Sequence, residues 1–206
     1  RRFVNYMKTH RNAYILTTNP QSDRTVFSVK ILKDVGFNVH LIQHIHHTNP
    51  VISNRISMQY IYDIIQNDVH PYAYVFEDDI DIHEKITMDE IIKYEKLSDK
   101  FFYLGICEDR GNSTVKDTYY SIYSHRVACI SGNVRGLHAI GLSKEGARDL
   151  LEFSKDSPHV YMDMVLEDFS RRYPANIVRY DLQSNIHGHR GMFFQNRSRF
   201  PSTIST

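Results

Sequence analysis

Tyr72-Ala73-Tyr74-Val75-Phe76 is an unbroken apolar run that passes without a spacer into Glu77-Asp78-Asp79-Ile80-Asp81. Five residues are too few for a buried helix, and the lack of polar alternation argues against a strand with one wet face. A central strand covered on both faces fits the pattern, and such strands belong to sheets packed between helices. The neighbouring sequence has the same rhythm. Ala13-Tyr14-Ile15-Leu16-Thr17 is β-prone and ends at the turn-forming Asn19-Pro20. Ser22 suits the N-cap of a helix over about 23–34, with Phe27, Ile31 and Val35 at four-residue spacing and Gly36 as its stop. Residues 38–43 read as a strand, Asn49-Pro50 breaks the chain, and about 53–66 forms a helix with Ile56, Tyr60, Ile61, Ile64 and Ile65 in its stripe. Thr87 and Glu90 match a capping box for a helix ending near Tyr94, and 101–105 gives the next strand. This alternation predicts an α/β fold with a mainly parallel central sheet flanked by helices.

The second half is less regular. Short β-prone pieces at 119–123, 127–130 and 137–142 are interspersed with Gly132, Gly136 and Gly141. Helices follow from Ser143, carrying Leu150, Leu151 and Phe153, and over about 161–172; residues 177–180 are a last strand. We read 1–206 as a single domain: a nucleotide-binding half over about 12–110, an acceptor half over 111–184, and a flexible polar tail over 185–206.

Charge narrows the function classes. Lys and Arg total 25 against 24 Asp and Glu, a net charge of +1. That balance argues against a dedicated nucleic-acid binder and a polybasic membrane anchor. No stretch approaches 18 uncharged apolar residues, so no membrane span is expected. Cys107 and Cys129 are too few for a disulfide framework and read as core residues of a reduced, cytoplasmic protein. The N-terminus lacks a signal-peptide pattern, and Arg1 in place of Met suggests a piece excised from a longer chain.

The acidic run is placed where α/β sheets bind ligands, at the carboxyl end of a buried strand. Four carboxylates held together repel, and a divalent cation relieves that repulsion. Residues two apart on extended chain point the same way, so Asp79 and Asp81 can ligate one ion. Oxygen ligands favour Mg²⁺, Mn²⁺ or Ca²⁺ over Zn²⁺. The competing reading is a solvated acidic turn. His44 and His46, two apart, have a spacing that suits Zn²⁺, but no third-ligand motif accompanies them. Arg55 either reaches a phosphate or ribose or is a plain surface arginine. Asp163 and Glu167 share one face of the helix over about 161–172, either as a solvated face or with Asp163 in a chemical role.

Tyr74-Val75-Phe76-Glu77-Asp78-Asp79-Ile80 resembles the strand and acidic motif of a glycosyltransferase family that includes lipopolysaccharide and collagen galactosyltransferases. The run at 13–16 is similar to that family's first strand, Phe102-Tyr103-Leu104-Gly105 to its next landmark, and Gly141-Leu142-Ser143-Lys144-Glu145-Gly146-Ala147 to a later helix start. Over about residues 12–190 the chain resembles a chlorella-virus glycosyltransferase domain of the nucleotide-diphospho-sugar, GT-A type. The resemblance implies an Asp-x-Asp metal motif at Asp79-Ile80-Asp81, Mn²⁺ or Mg²⁺, a UDP-sugar donor, a glycan or glycoprotein acceptor and, for a viral protein, location in the host cytoplasm. It makes Thr18 and Arg24 uridine or ribose contacts and Asp163 the base, or a group steadying the donor sugar. It also makes His187 a late metal ligand, with His189 and Arg190 on the donor. Asp78, facing away from Asp79, is expected to accept a ribose hydroxyl, and Glu77 reads as structural. The rival functions are a non-catalytic sugar- or nucleotide-binding module and a metal-dependent phosphoesterase.

Overall fold

The computed structural model describes residues 10–109, 116–119, 125–130, 134–180 and 190–201, without the side chains of 108–130, 176–180 and 190. The elements are β1 (Asn12–Thr17), α1 (Asp23–Val35), β2 (Asn38–Gln43), α2 (Pro50–Gln66), β3 (Tyr72–Glu77), β4 (Ile80–Ile82), α3 (Met88–Glu95), β5 (Phe101–Ile106) and β6 (Glu108–Asp109). They continue with β7 (Lys116–Tyr119), β8 (His125–Ile130), β9 (Val134–Arg135), β10 (Ala139–Ser143), α4 (Lys144–Asp156), α5 (Met162–Arg172), β11 (Ala175–Tyr180), β12 (Arg190–Gly191) and β13 (Phe193–Gln195).

Local chemistry sets the helix ends. The Ser22 hydroxyl accepts from Thr25 N, and Gly36 closes α1 in the left-handed region at φ 110°. Asn49 accepts from Val51 N at 2.9 Å, with Pro50 in the first turn of α2. Asn49-Pro50 is therefore a helix start rather than a break, because proline at the first helical position gives up an amide that needs no partner there. Thr87 and Glu90 form the predicted capping box. Ser143 accepts from Gly146 N at 2.9 Å. Gly146 has no alternative: a Cβ there would stand 1.9 Å from Lys100 O.

The central sheet runs β2-β1-β3-β10-β5-β11-β8-β7, with β12 also on β5. β1 is parallel to both β2 and β3, and β11 to β5. β10, however, runs antiparallel between β3 and β5, and β8 is antiparallel to β11. The sheet is mixed, which corrects the mainly parallel reading. The second-half strand β10 enters the middle of the first half, a long-range pairing with no local signature.

Alternate residues of each strand face opposite cores. Tyr14, Leu16, Val75 and Tyr103 pack with α2, α4 and α5 through Met58, Ile61, Leu150 and Phe169. Ala13, Ile15, Tyr74, Phe76 and Phe102 pack with α1 and α3 through Leu32, Val35 and Ile91. Tyr72, Ala73, Tyr74, Val75 and Phe76 are all buried, the strand covered on both faces that their composition predicts.

Within residues 190–201, part of the polar tail, two short strands are paired with the sheets. β12 pairs with β5, and β13 pairs antiparallel with β4, Gln195 opposite Ile80 and Phe194 opposite Asp81. Met192 and Phe193 are fully buried. Removing three consecutive large apolar side chains from water anchors a segment that is otherwise polar. Among the described residues no helix is long and apolar enough to cross a membrane.

Candidate functional site

β1 and β3 end side by side, placing the loop after Thr17 against the turn that follows Glu77. Between them and the start of α2 lies a cavity of about 450 Å³, lined by Thr18, Arg24, His44, Glu77, Asp79 and Arg197 among others. The carboxyl edge of the parallel strands is where α/β sheets open to ligands.

Three carboxylates line this cavity, each held differently. Asp78 is locked into the frame: Oδ2 accepts from the Thr17 and Thr25 hydroxyls at 2.8 and 3.2 Å, and Oδ1 pairs with Arg24 Nη2 at 2.7 Å. Its oxygens brace the loop–strand junction, and the residue also lines the cavity. Asp79 is 3% exposed, and its Oδ2 lies 3.2 Å from the same Arg24 nitrogen. Glu77 accepts from Gln195 Nε2 at 2.6 Å, and that nitrogen also reaches Asp79 Oδ1 at 3.4 Å. Glu77 and Asp79 therefore converge on one amide. Burial, then the charge of Asp79, pushes the Glu77 carboxyl up to about 8. Burial also raises Asp79, against the pull of Arg24 and Arg197.

Asp81 lies elsewhere. On β4 its Oδ2 accepts from Asn196 Nδ2 and its Oδ1 from Ile82 N, both at 2.8 Å, and it is absent from the cavity wall. The break between β3 and β4 at Asp78-Asp79 interrupts the extended chain, so the two-residue alternation predicted for Asp79 and Asp81 does not carry through. Arg55 also faces away. Its guanidinium donates to the carbonyls of Ser154, Ser157 and His159 at the end of α4 and the segment beyond it, satisfying groups the helix leaves open.

Thr18 is exposed at the cavity rim and Arg24 lies across its acidic wall. Asp163, on the first turn of α5, lines a second cavity of about 180 Å³, which shares Asn54, Glu77, Gln195 and Arg197 with the first. Burial raises its carboxyl, partly offset by hydrogen bonding from Met164 N. His187 and His189 lie outside the described residues, and Arg190 is described only as backbone of β12.

Gln195 and Arg197 are the residues that sequence reasoning missed. Gln195 Oε1 accepts from Cys107 Sγ and from Arg197 Nη2, both at 3.0 Å. Met192-Phe193-Phe194, a large apolar triplet inside a polar tail, was the available signal that this segment returns to the core. His44, His46 and His47 edge the larger cavity, and burial lowers the pKa of His44. Among the described residues, no three His, Cys, Asp or Glu side chains are already arranged around one metal position.

No family model and no curated protein matches the chain. Among solved structures, it is similar to a glycosyltransferase involved in glycosylation of the major capsid of PBCV-1, at 12% identity and TM-score 0.49 over 81% of each chain. A protein from STIV is similar at 12% identity and TM-score 0.47, covering 82% of this chain and 83% of that one. HddC from Yersinia pseudotuberculosis, complexed with GMP-PN, is similar at 11% identity and TM-score 0.44, covering 81% of this chain and 89% of that one.

Proposed function

We propose that the chain is a glycosyltransferase that moves a sugar from a uridine-diphosphate donor to a hydroxyl of a glycan or glycoprotein acceptor, with Mn²⁺ or Mg²⁺ as cofactor. The observation that carries the reading is the convergence of half-buried Glu77 and buried Asp79 between Arg24 and Arg197, at the carboxyl ends of two parallel strands. Such crowding of like charges is unfavourable in the bare protein and is relieved by a hard cation. The donor set fits one: Glu77 and Asp79 offer oxygens, and Asp79 shares its present counter-charge with Asp78 through a single arginine nitrogen. These two, rather than Asp79 with Asp81, are the ligands we assign. When bound, the cation would supply Lewis-acid neutralisation of the charge on the departing diphosphate.

The chain's own residues supply the rest. Arg24 and Arg197 provide guanidinium forks that suit phosphate oxygens. Thr18 and the amides before α1 form a rim for the nucleoside. Asp163 lies in the adjoining cavity, on the acceptor side, and takes the proton from the attacking hydroxyl; its raised pKa makes it the stronger base. The uridine preference comes from the family resemblance over about residues 12–190, as do a metal-ligand role for His187 and donor contacts for His189 and Arg190.

The test is nucleotide release from a panel of UDP-, ADP- and GDP-sugars, with Mn²⁺ or chelator, with and without mixed glycan acceptors. Mn²⁺-dependent release of UDP that rises with acceptor supports the reading. Release that ignores both cation and nucleotide, or none with any donor, contradicts it.

A further inference from the structure

Gln195 is far in sequence from the acidic run, yet its amide contacts four side chains of the cleft. Nε2 donates to Glu77 Oε2 at 2.6 Å and reaches Asp79 Oδ1 at 3.4 Å, while Oε1 accepts from Cys107 Sγ and Arg197 Nη2. The residue is 4% exposed. Its backbone is fixed on both sides: Gln195 pairs with Ile80 across β13 and β4, and Asn196 N donates to Asp79 O at 2.9 Å.

We propose that Gln195 is a positioning residue, holding Glu77 and Asp79 convergent for a divalent cation and turning Arg197 toward the mouth of the cleft. The inference rests on the cation reading above and adds the residue that shapes its site.

The chemistry selects an amide. Half-buried Glu77 and buried Asp79 repel at this separation, so whatever holds them together must donate to both. A lysine or arginine here would do so but would itself neutralise the pair and compete with the cation. A carboxylate would accept only. An apolar side chain would leave buried acceptors without partners. The amide donates on one edge and accepts on the other, so one neutral group serves the acids, the Cys107 thiol and the Arg197 guanidinium together. Supporting groups of this kind orient metal ligands, and losing them weakens metal binding while the ligands remain.

The experiment uses the full chain and Mn²⁺ alone as the probe, read by calorimetric titration and by the melting temperature with and without Mn²⁺. Gln195→Met, of similar length, should weaken Mn²⁺ binding by about 10- to 100-fold, the range for lost supporting hydrogen bonds. Gln195→Glu keeps the shape and adds a carboxylate. It should lower the cation-free melting temperature yet tighten Mn²⁺ binding by about tenfold, equivalent to about 1.4 kcal/mol. These opposite changes in Mn²⁺ affinity are the signature, because a purely structural role would destabilise both variants and leave affinity alone. If Gln195→Met fails to fold, Gln195→Asn keeps the amide but withdraws it by one methylene and should still show the loss. Folded variants that bind Mn²⁺ within about twofold of the parent, while the parent binds well, overturn this inference alone. A folded parent that binds no Mn²⁺ overturns the cation reading and this inference with it.

Discussion

Replacing Glu77 with glutamine should stabilise the cation-free protein, by an amount that grows with pH. Burial first, and the neighbouring Asp79 charge second, hold the Glu77 carboxyl at about 8 against an ordinary 4.5. Below pH 4.5 the folded and unfolded chains both keep the proton, and the site costs nothing. Between the two values the unfolded chain releases a proton that the folded chain keeps, so stability falls as pH rises, by about 1.4 kcal/mol per unit. Above about 8 both states are ionised and the loss is complete, on the order of 4–5 kcal/mol. The amide removes this cost. It also leaves an oxygen for Gln195 Nε2, so the 2.6 Å hydrogen bond has a successor. Urea unfolding in chelator should therefore give the variant an advantage of about 1 kcal/mol at pH 5, about 3 at pH 7 and about 4–5 at pH 9. An advantage that does not change with pH, or a variant less stable than its parent at pH 9, refutes the reasoning.

Three further outcomes separate the residues of the cleft. Asp79→Asn should abolish Mn²⁺-dependent nucleotide binding, whereas Asp81→Asn, altering a carboxylate held by Asn196, should leave affinity within about threefold of the parent by calorimetry. Asp163→Asn should lower kcat by about 10²- to 10⁴-fold with donor affinity unchanged, since a lost general base affects the chemical step; steady-state kinetics paired with donor titration checks this. Arg55→Ala should cost about 1–3 kcal/mol of stability by stranding carbonyls at the end of α4, with nucleotide affinity unaltered. A drop in affinity without a drop in melting temperature would return Arg55 to the donor site.

Elements governed by local chemistry were legible in the sequence. Ser22, Gly36, Thr87 with Glu90, and Ser143 each mark a helix end through bonds made within a few residues, and all four appear where predicted. The strand at 72–76 was legible because burial on both faces leaves no polar position. Pairing was not. Nothing near residues 139–143 signals that they run antiparallel between β3 and β5, because that choice is made by partners far along the chain. The site divides the same way. The acidic run was visible as composition at a strand end, but which carboxylates converge depended on a turn at Asp78-Asp79 and on the Gln195 amide. The amide is brought there by β13 pairing with β4, and a three-residue strand is too short to show a period. For Arg55 the sequence left a phosphate or ribose contact and a surface arginine both open, because the carbonyls it meets, at the end of α4 and in the segment beyond it, lie about a hundred residues away.

The central claim, that the cleft between Arg24 and Arg197 is a cation-dependent nucleoside-diphosphate site, is tested most directly by calorimetric titration of UDP into the protein with saturating Mn²⁺ and again in chelator. The account predicts binding in Mn²⁺ that weakens by at least about tenfold in chelator and exceeds that of ADP and GDP by a similar factor. Equal UDP affinity with and without the cation, in a protein that remains folded, would contradict it.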